Sequence, residues 1–180
     1  MSGRVHLPLH DLVEFVLVRP HYPENVGAAA RALKTMGFGR LTLVKASRLA
    51  VPEHPMAFKM SVRAWDVLHA AARHETLEPV LAGADVVIAT SSRSGLSGCL
   101  TAREAATLVS DEASRGRKIS ILFGNEKSGL SAEELERARV LMRIPMAGDQ
   151  PSINLAQAVQ LVAYELFVSG LARRNQGEAG

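Results

Sequence analysis

Apolar residues along the chain fall into short unbroken runs separated by polar turns. Glu14–Val18 reads EFVLV, Leu41–Val44 LTLV, Asp85–Ala89 DVVIA, Ile119–Phe123 ISILF and Leu141–Ile144 LMRI. Runs of this length, bounded by turn residues, predict strands covered on both faces rather than half-exposed ones. Between them the apolar spacing changes to that of a helix. Val26, Ala29, Ala30, Leu33 and Met36 predict a helix opened by Asn25 as N-cap and stopped by Gly37. Phe58, Val62 and Trp65 predict another over Met56–Leu68, with Trp65 in the core, stacking on a base being the alternative for a lone Trp. Thr101, with Glu104 at the capping-box position, opens a helix running to about Ser114, and Ser131 opens an amphipathic stretch over Ala132–Ala138.

The last helix, Asn154–Leu171, places Leu155, Ala158, Val159, Val162 and Leu166 on one face and Leu161 and Phe167 on another. Such a helix is buried from two directions, by the sheet and by a partner subunit. Met1–Asp11 reads as a loose leader and Arg173–Gly180 as a polar, disordered tail, leaving one domain over 1–172. Strand–helix–strand over the first thirty residues of the pattern is a right-handed βαβ unit. The fold class is therefore α/β, a mostly parallel sheet flanked by helices. The strands ISILF and LMRI end in glycine-bearing loops able to meet at one edge of the sheet, where open α/β sheets place their ligands.

Composition narrows the picture modestly. Among 180 residues, 47% are hydrophobic and 22% charged, as in ordinary globular proteins, and a net charge of +3 permits an RNA partner without requiring one. Cys99 is the single cysteine, which excludes an internal disulfide and a cysteine metal cluster and fits a reducing cytoplasm. The first residues lack the apolar core of a signal peptide, and no run approaches the roughly 20 apolar residues of a membrane span. A cytoplasmic protein without a membrane partner is expected. His6 and His10 are four apart, but Pro8 between them argues against a helical metal pair.

No dinucleotide fingerprint, P-loop or nucleophile elbow occurs. What remains is a set of polar segments at strand ends: Asn25-Val26-Gly27 with Arg31, Thr90-Ser91-Ser92-Arg93, Gly124-Asn125-Glu126 through Gly129, and Ile144 through Asn154. Three of these, P-E-N-V-G-A-A-A-R-A, F-G-N-E-K-S-G-L and I-P-M-A-G-D-Q-P-S-I-N-L-A-Q-A-V, resemble the three motifs of the TrmH (SpoU) branch of the SPOUT superfamily, in order and spacing. R-A-L-K-T-M-G-F and N-L-A-Q-A-V-Q-L-V-A-Y-E look most like its TrmJ type.

The resemblance implies a SPOUT fold with a C-terminal deep trefoil knot, a homodimer, and S-adenosylmethionine as cofactor. It implies a 2′-O-ribose methyltransferase of tRNA (rRNA being possible), with cytidine or uridine at nucleotide 32 of the anticodon loop as target. The alternatives are another tRNA or rRNA ribose, or a non-catalytic RNA-binding relative. By the same resemblance the cofactor contacts fall on Thr90, Ser91, Ser92, Gly124, Ile144, Pro151, Ser152, Ile153 and Asn154. Arg31 clamps phosphate and developing alkoxide, since a guanidinium is a poor base. Asn25, Glu126, Ser152 and Asn154 fix the hydrogen-bond geometry, and Arg19 and Arg93 are candidate RNA-phosphate contacts. Asn125 departs from the TrmJ pattern, which often carries a basic residue there. TrmJ-type chains also usually continue into a helical extension beyond the point where this sequence ends.

Overall fold

The computed structural model describes residues 5–93, 96–148 and 152–178. The chain starts with a helical turn, α1 (Leu9–Leu12), followed by β1 (Val13–Val18), α2 (Pro23–Thr35), β2 (Leu41–Val44), α3 (Pro55–Met60), α4 (Trp65–His69) and β3 (Ala72–His74). It continues through α5 (Glu78–Gly83), β4 (Val86–Thr90), β5 (Leu100–Thr101), α6 (Ala102–Ser114) and β6 (Ile119–Phe123). α7 (Ala132–Glu136), β7 (Val140–Arg143) and α8 (Leu155–Glu178) complete it. All seven strands share one sheet in the order β3-β2-β1-β6-β4-β7-β5, and every pairing is parallel.

Strand alternation explains the unbroken apolar runs. Val13, Phe15 and Leu17 of β1 and Ile119, Ile121 and Phe123 of β6 face one side, under α2, α6 and α8. Val16, Val18 and Leu122 face the other, with Leu130 and Leu135 of the α7 region and Val80 of α5. Phe15 stacks between Phe38 and Phe123, ring centroids 5.1 and 6.0 Å away. Burial of each such side chain contributes about 1.5–3 kcal/mol. The capping box of Thr101 with Glu104 forms as the sequence predicts, and Ser131, which opens α7 as expected, forms a second one with Glu134.

Four expectations change. Residues 7–10 are no loose leader: Leu7, Leu9 and His10 are buried, and His10 lies edge-on to Phe38. α2 begins at Pro23, not after Asn25, because proline's fixed φ suits the first helical position. The expected helix over Met56–Leu68 is two short ones, broken where Arg63 takes φ +60°. Phe58, Val62 and Trp65 are consequently 46, 47 and 49% exposed, and Trp65 is not in the core. Finally, α8 runs on to Glu178, where Arg173 bonds Asp111 and the Ser114 hydroxyl. By length and mean hydropathy (1.4) α8 is apolar enough to cross a membrane. Here it packs along α2 and α6 with Val159, Val162, Ala163 and Leu166 buried.

Helices α2 and α3 meet backbone to backbone: a Cβ on Gly27 would sit 2.0 Å from the Ala57 carbonyl oxygen. Gly27→Val is expected to cost about 2–3 kcal/mol, lowering Tm in thermal denaturation by roughly 5–10 °C. The His10 Nδ1 accepts the Leu7 N–H at 3.1 Å, so only the neutral ring fits. Burial, then the neighbouring His6, holds its pKa below the ordinary 6.5. Its folded pKa being depressed, the stability it lends is complete above pH 6.5 and falls as pH drops through the folded value. In acid titrations of Tm, His10→Phe is expected to flatten that loss.

Candidate active site

Strand order reverses around β1, β6 and β4: β1 leads outward to β2 and β3, while β4 has β7 and β5 on its far side. At such a switch point the loops beyond the strand ends part and leave a crevice. Here it is a cavity of about 340 Å³ above the C-terminal ends of β6, β4 and β7. Phe123, Leu130, Met142, Ile144 and Leu155 give it an apolar wall, and Ser91, Ser92, Ser152 and the loop after β6 a polar rim.

The loop after β6 is shaped by its own residues. A Cβ on Gly124 would lie 2.2 Å from the Gly129 carbonyl carbon and the Leu130 nitrogen, so the chain can fold back here only on a glycine. The Asn125 Oδ1 accepts from the N–H groups of Lys127 (2.9 Å) and Ser128 (3.2 Å), an Asx-type turn, and the Gly129 N–H donates to the Asn125 carbonyl at 2.8 Å. The Asn125 Nδ2 donates to the Arg19 carbonyl at 2.6 Å, tying the loop to the end of β1.

Glu126 reaches from this loop to the start of α2. Its carboxylate accepts from the His21 N–H (2.9 Å), the Tyr22 N–H (3.2 Å) and the Asn25 Nδ2 (2.9 Å). Tyr22, the N-cap, provides no side-chain cap of its own. A distant carboxylate thus accepts the N–H of the N-cap residue, as the Glu of a capping box does, and its charge complements the helix N-terminus. Because a carboxylate only accepts, Asn25 must present its amide nitrogen to it. That leaves the Asn25 Oδ1 to accept from the Asn154 Nδ2 at 2.9 Å. The Asn154 Oδ1 in turn accepts from the Ala156 and Gln157 N–H groups at the start of α8. One hydrogen-bonded chain, Glu126–Asn25–Asn154, fastens three loops to two helix starts.

Of the expected cofactor contacts, Thr90, Ser91, Ser92, Gly124, Ile144, Ser152 and Ile153 line the cavity together with Glu126. Asn154 stands behind it at the start of α8, and Pro151 lies outside the described residues. Arg31 is on the exposed outer side of α2, off the cavity wall, and its guanidinium bonds no other described residue. Arg19 and Arg93, expected on RNA phosphates, both hold protein. Arg19 pairs with Glu134 and donates to the Gly129 carbonyl at 3.0 Å, and Arg93 donates to the Leu130 carbonyl at 2.9 Å. Sequence reasoning missed Lys127, whose ammonium lies 5.6 Å from the centroid of the Tyr22 ring at the cavity mouth; spacing along the chain carries no trace of that meeting. It also missed the Leu130–Met142 wall, which only the strand order brings together. Glu126→Ala removes the acceptor for three donors and is expected to cost about 1–3 kcal/mol. Hydrogen exchange at the His21 and Tyr22 amides should accelerate well beyond that at Leu33.

The sequence model of the SpoU rRNA Methylase family matches residues 13–164. The chain is 36% identical over 168 residues to the tRNA (cytidine/uridine/adenosine-2′-O-)-methyltransferase TrmJ of Pseudomonas aeruginosa, covering 92% of this chain and 64% of that one. It is thus about two thirds the length of that relative. A probable methyltransferase from Bordetella pertussis superposes with a TM-score of 0.83 at 35% identity, over 90% of this chain and 95% of that one. An rRNA methyltransferase from Sinorhizobium meliloti with bound AdoMet gives 0.65 at 25% identity, over 91% and 60%. With a match running from residue 13 to residue 164 of the 180, this chain belongs to the SpoU methylase family.

Proposed function

We propose that this chain is an S-adenosylmethionine-dependent 2′-O-ribose methyltransferase of tRNA, acting on cytidine or uridine at nucleotide 32. The observation that carries the reading is the cavity at the β6–β4–β7 ends, with seven residues expected of a cofactor site on its wall. The lining suits an adenosine with an amino-acid tail. Leu130, Met142, Ile144 and Leu155 offer apolar faces to a flat base, while Ser91, Ser92, Ser152 and the backbone beyond Gly124 offer hydrogen bonds to hydroxyl and charged groups. When bound, the cofactor supplies an electrophilic methyl group on a sulfonium.

The chain's own residues have two tasks. The first is to hold the acceptor ribose rigidly, and the Glu126–Asn25–Asn154 chain serves it by fixing the loops that frame the cavity. The second is to stabilise negative charge on the 2′-oxygen as its proton departs. Arg31, exposed and uncommitted on α2, is the group assigned to it, clamping the adjacent phosphate and that oxygen.

The reading includes one SPOUT methyltransferase domain over 1–172, with its C-terminal segment passed through a trefoil knot, and a cytoplasmic location, where tRNA is found. It also includes a homodimer. Leu161, Tyr164 and Val168, exposed at 43, 50 and 40% along one side of α8, supply an apolar stripe for a second copy. A second reading, another tRNA or rRNA ribose as target, is favoured by the rRNA description of the matching family.

Incubation with S-adenosylmethionine and unmodified total tRNA, followed by nucleotide-resolved mapping, is expected to show a new 2′-O-methyl at nucleotide 32. Arg31→Ala should lower the rate about 100-fold or more, and Arg31→Lys should recover little, since an ammonium lacks the two-pronged geometry. Methylation of another ribose favours the second reading. No transfer to tRNA or rRNA rejects both.

A further inference from the structure

The segment from α3 to α4 carries a surface that neither the core nor the cavity uses. Phe58, Met60, Val62 and Trp65 are 37 to 49% exposed, while Ser61 and Ala64 between them are fully buried. The Phe58 and Trp65 rings stack on each other, centroids 5.0 Å apart and 10° from parallel. The pair is held firmly from beneath. α3 rests on α2 where Gly27 meets Ala57, and α4 is fastened to α2 by the Lys34–Asp66 ion pair. Gly27, Arg31 and Lys34 fall within about 60° of one another around α2, so Arg31 stands on the helix face that carries this segment.

Charge says what this surface suits. Lys59, Arg63 and Arg31 are exposed and make no ion pair with another described residue. Of the acids on these elements, Asp66 pairs with Lys34 and Glu53 with Arg73, and Glu24, two turns before Arg31 on α2, is half-buried. An aromatic face flanked by exposed cations without an ion pair fits an unpaired base between phosphates. A second copy docked face to face would instead set these cations against the same cations of its twin.

We propose that Phe58 and Trp65 form a stacking platform for an unpaired base of the RNA substrate, with Lys59 and Arg63 on the flanking phosphates. This rests on the RNA reading above. It extends the acceptor site from Arg31 across α2 to a surface some distance from the methyl-donor cavity.

Trp65 is the chain's only tryptophan, so its fluorescence reports on this surface alone. Titration of the full chain with an unmodified tRNA transcript is expected to quench that fluorescence, with its midpoint at the concentration that half-saturates methyl transfer. Trp65→Ala should weaken tRNA binding about tenfold and Trp65→Phe should restore most of it. Calorimetric binding of S-adenosylmethionine and the sedimentation coefficient should be unchanged. Lys59→Ala and Arg63→Ala should each lower the salt dependence of binding by about one counterion. The wild-type titration needs no variant to fold. Binding and methylation of tRNA with no quenching would overturn the platform and leave the methyltransferase intact. So would dissociation of an oligomer by Trp65→Ala, which would make the patch a contact between copies. Quenching without methyl transfer to any RNA would keep the platform and reject the enzyme.

Discussion

Everything at the working end of this molecule depends on one carboxylate placed against one helix start. Loops beyond the ends of parallel strands have no ladder of their own and are ordinarily the mobile part of an α/β protein. Here Glu126 reaches back more than a hundred residues to the first turn of α2 and accepts from three donors there. Losing that acceptor costs about 1–3 kcal/mol, a sizeable share of a domain's typical 5–15 kcal/mol. Through Asn25 the same tie reaches Asn154 and the start of α8. Loop, helix and cavity wall are therefore a single rigid assembly, and Gly124 and Asn125 earn their positions by letting that loop turn sharply enough to reach.

The two arginines at the rim illustrate how a positively charged family of sites can be frugal with its cations. Arg19, held at φ +53°, and Arg93 spend guanidinium donors on the carbonyls of Gly129 and Leu130. They keep the loop closed over the cavity. Arg31, Lys59 and Arg63, on α2, α3 and the turn beyond α3, are among the exposed cations that make no ion pair with another described residue, and Lys127 keeps a further one at the cavity itself.

Features governed by neighbours in sequence were legible. The capping boxes at Thr101–Glu104 and Ser131–Glu134 close within four residues, and the apolar runs announce strands because both sheet faces are covered. Thr90–Ser92, Gly124, Ile144 and Ser152 could be picked out because each follows a strand. What resisted reading was whatever a distant residue decides. Asn25 looks like an N-cap, yet it lies inside α2 with Tyr22 at the N-cap, and its side chain turns instead to link Glu126 to Asn154. Trp65 looks like core because Phe58, Val62 and Trp65 share a helical period, but the break at Arg63 turns the stripe outward. β3 and β5, of three and two residues, are too short to leave a pattern and exist only by pairing with β2 and β7.

The position of β6 also governs how the chain reaches this state. β1 pairs on one side with β2, close by in sequence, and on the other with β6, whose Ser120 lies 106 residues beyond Glu14. Closing so long a loop costs entropy before any contact repays it, and such non-local parallel pairing makes folding slow. During synthesis the inner edge of β1 therefore stays open until the last third of the chain emerges, an unpaired template for wrong partners. The same late arrival brings Gly124 and Glu126, and with them the carboxylate that holds the Tyr22 N–H at the start of α2. The inner sheet edge, the start of α2 and the cavity wall all wait for the chain's last third.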